Sequence, residues 1–294
     1  MDFTDFLREN ISVPVVALLG GEGTRMEELA YKSIVGKKQL LPINFDEDGE
    51  PVLVFEPNFE ILLELGFKEF YFLIDKKDKE RMYKYFTKKF GEKASVILAS
   101  DNQKEKSGEK PVIYLVPLPN KGVIPTLLSI EEYLKSKEAF ILLGGDVYFG
   151  IEKEKVKKEL KRVVLEGIKK VKEGAVRFDV LVKKEKEILP KETSEINWFP
   201  INIDKNKKVI PSSIEESLII TGLYIFSTEI LKIFKTLNPS SLNDPKFLNE
   251  LLKRGIWYGE KADVDVHANL NTEKHFKAVV KKLREKRVNK NKEF

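Results

Sequence analysis

The sequence predicts an α/β fold: a mostly parallel sheet with helices on both faces and a smaller inserted lobe. Three observations predict it. Apolar runs such as 13–19 (VPVVALL), 70–75 (FYFLID) and 139–143 (AFILL) are almost unbroken, the pattern of strands covered on both sides. Segments with apolar residues three and four apart alternate with them, as crossover helices between parallel strands require. The chain has 294 residues, 42% of them hydrophobic, which is enough for a large core and too apolar for a disordered chain.

The elements follow in order. The first strand, 13–19, ends at Gly20-Gly21. Helical spacing over 59–65 stops at Gly66, a C′ glycine. After the strand at 70–75, Met82, Phe86 and Phe90 stand four apart within 78–90, ahead of Gly91. Strands are expected at 95–99 and 112–116. Leu127, Ile130 and Leu134 share one stripe of a helix over 126–137, and strand 139–143 runs into Gly144-Gly145-Asp146. Leu160, Val164, Ile168 and Val171 mark a long helix before Gly174, and a strand follows at 178–183. Residues 184–217 are polar and irregular, with Pro190, Pro200, Pro211 and a turn-like 204–208; the inserted lobe lies here, at about 184–218. Strand 218–226 is interrupted by Gly222, and Ser227 can cap the next helix. Asp244-Pro245 joins an N-cap to an N1 proline, and that helix runs to Gly255. A short strand at 262–266 and a helix capped by Thr272, containing Phe276, Val280 and Leu283, complete one continuous domain over 1–280.

Composition excludes several function classes. The longest apolar runs fall far short of the roughly 18–20 residues of a membrane span. The absence of cysteine excludes a disulfide scaffold and Cys-ligated zinc. Asp2, Asp5 and Glu9 leave no basic segment for a signal peptide, so a cytoplasmic protein is expected. Enrichment in Lys and Glu with no cysteine suggests a thermophile source. The net charge of +5 belongs to one place: seven of the 52 basic residues and two of the 47 acidic ones lie in 281–294, and the remainder is balanced. No aromatic residue interleaves with this basic tail before Phe294, so it reads as a helix end rather than a nucleic-acid patch. His267 and His275 have no cysteine partners and are not expected to ligate metal; Trp198 and Trp257 are expected to pack.

The strongest chemical signal is Gly20-Gly21-Glu22-Gly23-Thr24-Arg25-Met26, directly after a buried strand. Ligands of open parallel sheets bind beyond the carboxyl ends of strands. Closely spaced glycines let the backbone approach a ligand and turn its N–H groups toward anionic oxygens. Arg25 adds a fixed fork of positive charge suited to phosphate. The loop is neither a P-loop, which needs Gly-Lys-Ser/Thr, nor a dinucleotide fingerprint, since Met26 stands where a third glycine would. A plain turn would gain nothing from the arginine. Downstream, Lys38 precedes the apolar Leu40-Leu41-Pro42-Ile43 and can neutralise a phosphate as a point charge. Asp146, at the tip of a buried strand, is placed for a cation; Mg²⁺ is commonly held by one or two carboxylates plus substrate phosphates. The alternating Asp263 and Asp265 share one face of the expected strand 262–266, and either could complete that site.

Together these segments resemble the sugar-1-phosphate nucleotidyltransferases. Residues 20–26 resemble that family's Gly-Gly-x-Gly-Thr-Arg-Leu/Met signature, and Lys38-Gln39-Leu40-Leu41-Pro42-Ile43 its Lys-Gln/Pro-Leu-Leu-Pro-Val segment. Pro51-Val52-Leu53, 65–70, Gly145-Asp146, 221–226, and Asp265 with Asn271-Thr272-Glu273 are similar to later family segments, so the resemblance spans roughly 13–285. It implies a Rossmann-like nucleotidyltransferase fold with a sugar-binding lobe. It also implies nucleotide contacts from Leu19, Gly20, Gly21, Gly23, Thr24, Gln39 and Gly122. Arg25 and Lys38 would be catalytic, Asp146 and Asp265 would hold Mg²⁺, and Gly145, Glu215 and Gly222 would meet the substrate. The implied reaction joins an NTP to a sugar 1-phosphate, giving a nucleotide sugar and pyrophosphate. The sequence departs from the family where Glu-Lys-Pro is usual: 210–216 reads IPSSIEE, without a lysine. The region usually rich in Gly-Thr-Ala reads KGVIPT at 121–126, and the late strand lacks Asp-Ile/Thr-Gly-Thr. The rival readings are guanylyl or cytidylyl transfer to a molybdopterin or cobinamide phosphate, and a catalytically silent nucleotide-sugar-binding homologue. A homo-oligomer is left open.

Overall fold

The computed structural model describes residues 13–20, 38–45, 49–99, 110–119, 122–150, 152–183, 200–213, 217–264, 267–269 and 273–290; the side chains of 38, 267–269, 274, 275, 282 and 286–290 are outside the description. The strands are β1 (Val15–Leu18), β2 (Pro42–Phe45), β3 (Pro51–Leu53), β4 (Glu69–Asp75), β5 (Ser95–Leu98), β6 (Val112–Leu118), β7 (Ala139–Gly144), β8 (Val147–Phe149), β9 (Arg177–Lys183), β10 (Ile201–Ile203), β11 (Val209–Pro211), β12 (Leu218–Ser227), β13 (Trp257–Lys261) and β14 (His267–Asn269). The helices are α1 (Glu56–Glu64), α2 (Lys79–Phe90), α3 (Val123–Ser129), α4 (Glu131–Leu134), α5 (Lys153–Lys172), α6 (Ile230–Leu237), α7 (Pro245–Arg254) and α8 (Glu273–Lys290).

The main sheet runs β11-β10-β12-β7-β1-β4-β6-β5, with β9 along the other edge of β12 and β13 beyond β9. β7, β1, β4, β6 and β5 are mutually parallel, and β12 is antiparallel to β7, β9 and β10. Alternation along the strands sends side chains into two separate cores. Val15 and Ala17 of β1 join the core beneath α1, α2 and α5, whereas Val16 joins the core beneath α3, α4, α6 and α7. Helices therefore cover both faces, as the apolar strands predict. Phe59 anchors the first core, its ring 4.9–5.2 Å from those of Phe70, Phe72 and Phe90.

Most expected elements are present, with instructive differences. The single helix expected over 126–137 is α3 and α4, broken at Ile130, whose N–H turns back to the Leu127 carbonyl. In the irregular stretch, β10 and β11 form a hairpin joined to the start of β12, closed by Asp204 Oδ1 accepting from the N–H groups of Asn206 and Lys208. Over its described residues the strand expected at 262–266 is not formed. β13 ends at Lys261, residues 262–264 are not strand, and β14 begins at His267. Helix α8 carries the basic residues on to Lys290 and packs Phe276, Val279 and Leu283 on the β2–β3 hairpin and Tyr148.

An ion pair lies fully buried in the second core. Arg177 Nε donates to Asp179 Oδ1 at 2.8 Å and Nη2 to Oδ2 at 2.9 Å, and Trp257 Nε1 donates to the same carboxylate at 2.9 Å. The guanidinium also donates to the Leu242 carbonyl and to Asn243, and lies 5.1 Å from the rings of Tyr224 and Trp257. The loop before α7 is thereby tied to the sheet. Replacing Asp179 by Ala leaves the cation buried and unpaired, and is expected to cost about 3–5 kcal/mol of unfolding free energy in denaturant titrations. A loss below about 1 kcal/mol would show that the pair is not what holds this loop.

Candidate active site

β1 lies between β4 and β7, where the connections of the parallel strands change direction, so a crevice opens beyond their carboxyl ends. The chain stays in the sheet through Leu19, whose N–H donates to the Leu73 carbonyl at 2.9 Å, and Gly20 passes over the end of β4. Gly21, Gly23, Thr24 and Arg25 lie outside the described residues, as do Asp265 and Glu215.

On the other side of β1, Leu18 is level with Gly144 of β7. A side chain on the following residue, Gly145, would begin 2.4 Å from the Leu18 carbonyl oxygen, 2.8 Å from Leu19 Cδ2 and 2.9 Å from Gln39 Cγ. Only glycine permits that approach. It packs the turn carrying Asp146 against the end of β1 and against Gln39, in the short 3₁₀ turn Lys38–Leu40. Gln39 is buried, and its Oε1 has no hydrogen-bond partner among the described residues.

A fourth segment arrives from β12. Its pairing with β9 shifts between Ile220 and Tyr224, and Gly222 in that bulge has a φ of +88°. The Thr221 hydroxyl holds the bulge by donating to the Val180 carbonyl and accepting from the Leu223 N–H. A Cβ on Gly222 would meet Val147 Cγ2 at 2.6 Å, and the Gly222 carbonyl lies 3.4 Å from the Cβ position of Gly144. The structure thus brings Leu19, Gly20, Gln39, Gly145, Asp146 and Gly222 together. Gly122 begins α3 beyond β6, on the same edge of the sheet, with a φ of +89°. Lys38 opens the 3₁₀ turn, though its side chain is outside the description.

Asn58 is a site residue that sequence reasoning missed. It is buried on α1, and its Nδ2 donates to the Val147 carbonyl at 2.8 Å, fixing the residue after Asp146. Burial pushes the Tyr224 phenol above its ordinary range, so this neighbour of the site stays neutral. Asp263 does not face the site: its carboxylate is largely exposed, 3.8 Å from Lys155 of α5, and its N–H donates to Glu159 at 3.0 Å. An open cavity of about 710 Å³ lies at the opposite edge of the sheet, between Lys137, Gly174 and Thr228. Lys172, Glu138 and Glu229 also line it, so its charges are mixed and it gathers none of the glycines or buried amides of the carboxyl edge. Replacing Gly145 by Ala should overpack the junction and lower stability by about 1–3 kcal/mol, read as a reduced denaturation midpoint at unchanged slope. An unchanged midpoint would contradict the close approach.

Neither a protein-family model nor a curated protein sequence matches this chain. Among solved structures, the chain is similar to a protein of Bacillus anthracis assigned as a glucose-1-phosphate thymidylyltransferase and solved in complex with sucrose. The TM-score is 0.64 at 15% identity, over 92% of this chain and 95% of that one. The likeness is one of fold: an α/β architecture with a mostly parallel central sheet and helices on both faces. No helix among the described residues is long and apolar enough to cross a membrane.

Proposed function

We propose that the protein transfers a nucleotidyl group from an NTP to a sugar 1-phosphate, releasing pyrophosphate, with Mg²⁺ as cofactor. The observation that carries this reading is the convergence of four segments beyond the carboxyl ends of β1 and β7: the glycine exit of β1, the Gln39 turn, the Gly145-Asp146 tip and the Gly222 bulge. The likeness of fold and the order of the sequence motifs support it.

The residues present suit a hard cation. Asp146 offers a carboxylate, and Gln39, whose Cγ lies 2.9 Å from the Cβ position of the neighbouring Gly145, has a buried amide oxygen without a partner among the described residues. The described residues hold no group of three His, Cys, Asp or Glu that could cage a metal, so phosphate oxygens of the substrates would complete its shell. When bound, Mg²⁺ would offset phosphate charge at the reacting phosphorus. The protein's own groups do the rest. Main-chain amides around Gly20, Gly21 and Gly23 bind the triphosphate, and Arg25 holds its β- and γ-phosphates. Lys38 neutralises the α-phosphate and the incoming sugar phosphate. Gly145, Gly222 and Glu215 leave room for and contact the acceptor. An acceptor phosphate oxygen then bonds to the α-phosphorus as the bond to the bridging oxygen breaks, and that electron pair leaves with pyrophosphate. Positioning and charge neutralisation supply the rate, and no covalent protein intermediate forms.

Pyrophosphate release is the assay, run with a panel of NTPs against sugar 1-phosphates and phosphorylated cofactor precursors. At least one NTP and sugar 1-phosphate pair is expected to turn over. Asp146→Asn should lower kcat by about 10²-fold or more without altering the circular dichroism spectrum. Turnover only with a cofactor precursor would replace the acceptor, and nucleotide binding without pyrophosphate release would mark a silent homologue. Full activity of Asp146→Asn would remove that residue from the site.

A further inference from the structure

The first turn of α1 holds two buried polar side chains, Glu56 and Asn58. Residues two apart leave a helix about 200° apart, toward nearly opposite sides. Toward β3, Glu56 Oε1 accepts from the Leu53 N–H at 3.1 Å and from the Tyr85 hydroxyl of α2. Leu53 ends β3, which pairs with β2, and the next N–H, that of Val54, donates to the Leu41 carbonyl at 3.1 Å. Leu41 directly follows the Lys38–Leu40 turn. Toward β8, Asn58 Nδ2 donates to the Val147 carbonyl at 2.8 Å, one residue beyond Asp146. A single helical turn therefore reaches both the segment that carries Lys38 and Gln39 and the segment that carries Asp146.

Neither residue suits packing alone. Burial pushes the Glu56 carboxyl above its ordinary range, and the bonds from Tyr85 and Leu53, with Lys89 Nζ 3.9 Å from Oε2, offset only part of that cost. Asn58 Oδ1 is buried with no hydrogen-bond partner among the described residues. Removing these polar groups would spare the cost of burying them, so what they supply is the bonds to the two segments. We infer that Glu56 and Asn58 are paired positioning residues, holding the Lys38–Gln39 turn and the Asp146 tip at a fixed spacing. The inference rests on the proposed nucleotidyl transfer, in which both segments act on the same phosphates. Both residues act through the backbone they hold. In-line transfer is sensitive to that spacing, because a shift of about 1 Å can cost 10²-fold in rate.

Two readouts on the full chain separate the brace from the reaction, with thermal melts confirming that each variant is folded. Hydrogen exchange without ligand reads the brace. Asn58→Leu keeps the bulk and removes the donor; it should speed exchange by about 5-fold or more in the peptide covering 143–147 and leave 38–41 unchanged. Glu56→Met keeps the bulk and removes the acceptor, and should do the reverse. Glu56→Gln, whose Oε1 can still accept both bonds, should exchange as wild type. Pyrophosphate release reads the positioning. Asn58→Leu and Glu56→Met should each lower kcat by about 10-fold or more, while Glu56→Gln stays within about 2-fold of wild type. Unchanged kcat in Asn58→Leu and Glu56→Met, with only a lower melting temperature, would assign both residues to stability and overturn the proposal. Exchange that quickens evenly in both peptides, or in neither, would overturn it as well. A wild type that turns over no pair of substrates would overturn the transferase reading beneath it, and the exchange pattern would still decide the brace.

Discussion

The backbones of Leu18 and Gly145 approach so closely that no side chain fits between them: a Cβ on residue 145 would stand 2.4 Å from the Leu18 carbonyl oxygen. That contact joins the ends of two neighbouring parallel strands and leaves Asp146 at the mouth of the crevice between them. It also brings Gln39 over the junction, with an amide oxygen that finds no partner among the described residues. Such an oxygen is costly to bury unless something binds it. Gly222 repeats the device from the other side, its bulge meeting Val147 where a side chain would collide. Two places where glycine is sterically required therefore shape one crevice.

Rigidity around the crevice comes from packing on both faces. Beneath one face the rings of Phe55, Phe59, Phe72, Phe86 and Phe90 fill the space under α1 and α2. The same helix α1 presents Asn58 to the Val147 carbonyl, so the core and the site share an element. On the other face the buried Arg177–Asp179 pair ties β9, β13 and the loop before α7 beside Tyr224. A site that works by positioning needs such support, because a misplacement of about 1 Å can cost 10²-fold in rate.

The sequence made the central strands and the crevice legible because their signals are local. Unbroken apolar runs mark strands covered on both sides, and the glycines Gly145 and Gly222 announce close approaches before any contact is seen. Elements whose stability is tertiary were not legible. β2, β3 and β11 are short and contain Pro42, Pro51 and Pro211, which argue against strand when read alone. β13 contains Gly259 and Glu260, yet Gly259 sits where a side chain would meet Leu181, and Glu260 is paired with Arg162 and Lys207. With β13 unread, the expected late strand falls on 262–266, where apolar and acidic residues alternate. Asn58 gave no signal, since an asparagine early in a helix is ordinarily read as exposed.

Hydrogen exchange with and without an NTP and Mg²⁺ tests the central claim most directly, because it locates the ligand without presuming the reaction. Binding at the crevice should slow exchange in peptides covering 16–20, 38–41 and 143–147. The region around 137, 174 and 228, at the opposite edge, should be unaffected. Protection confined to that opposite edge, or no protection at all at saturating nucleotide, would contradict the account.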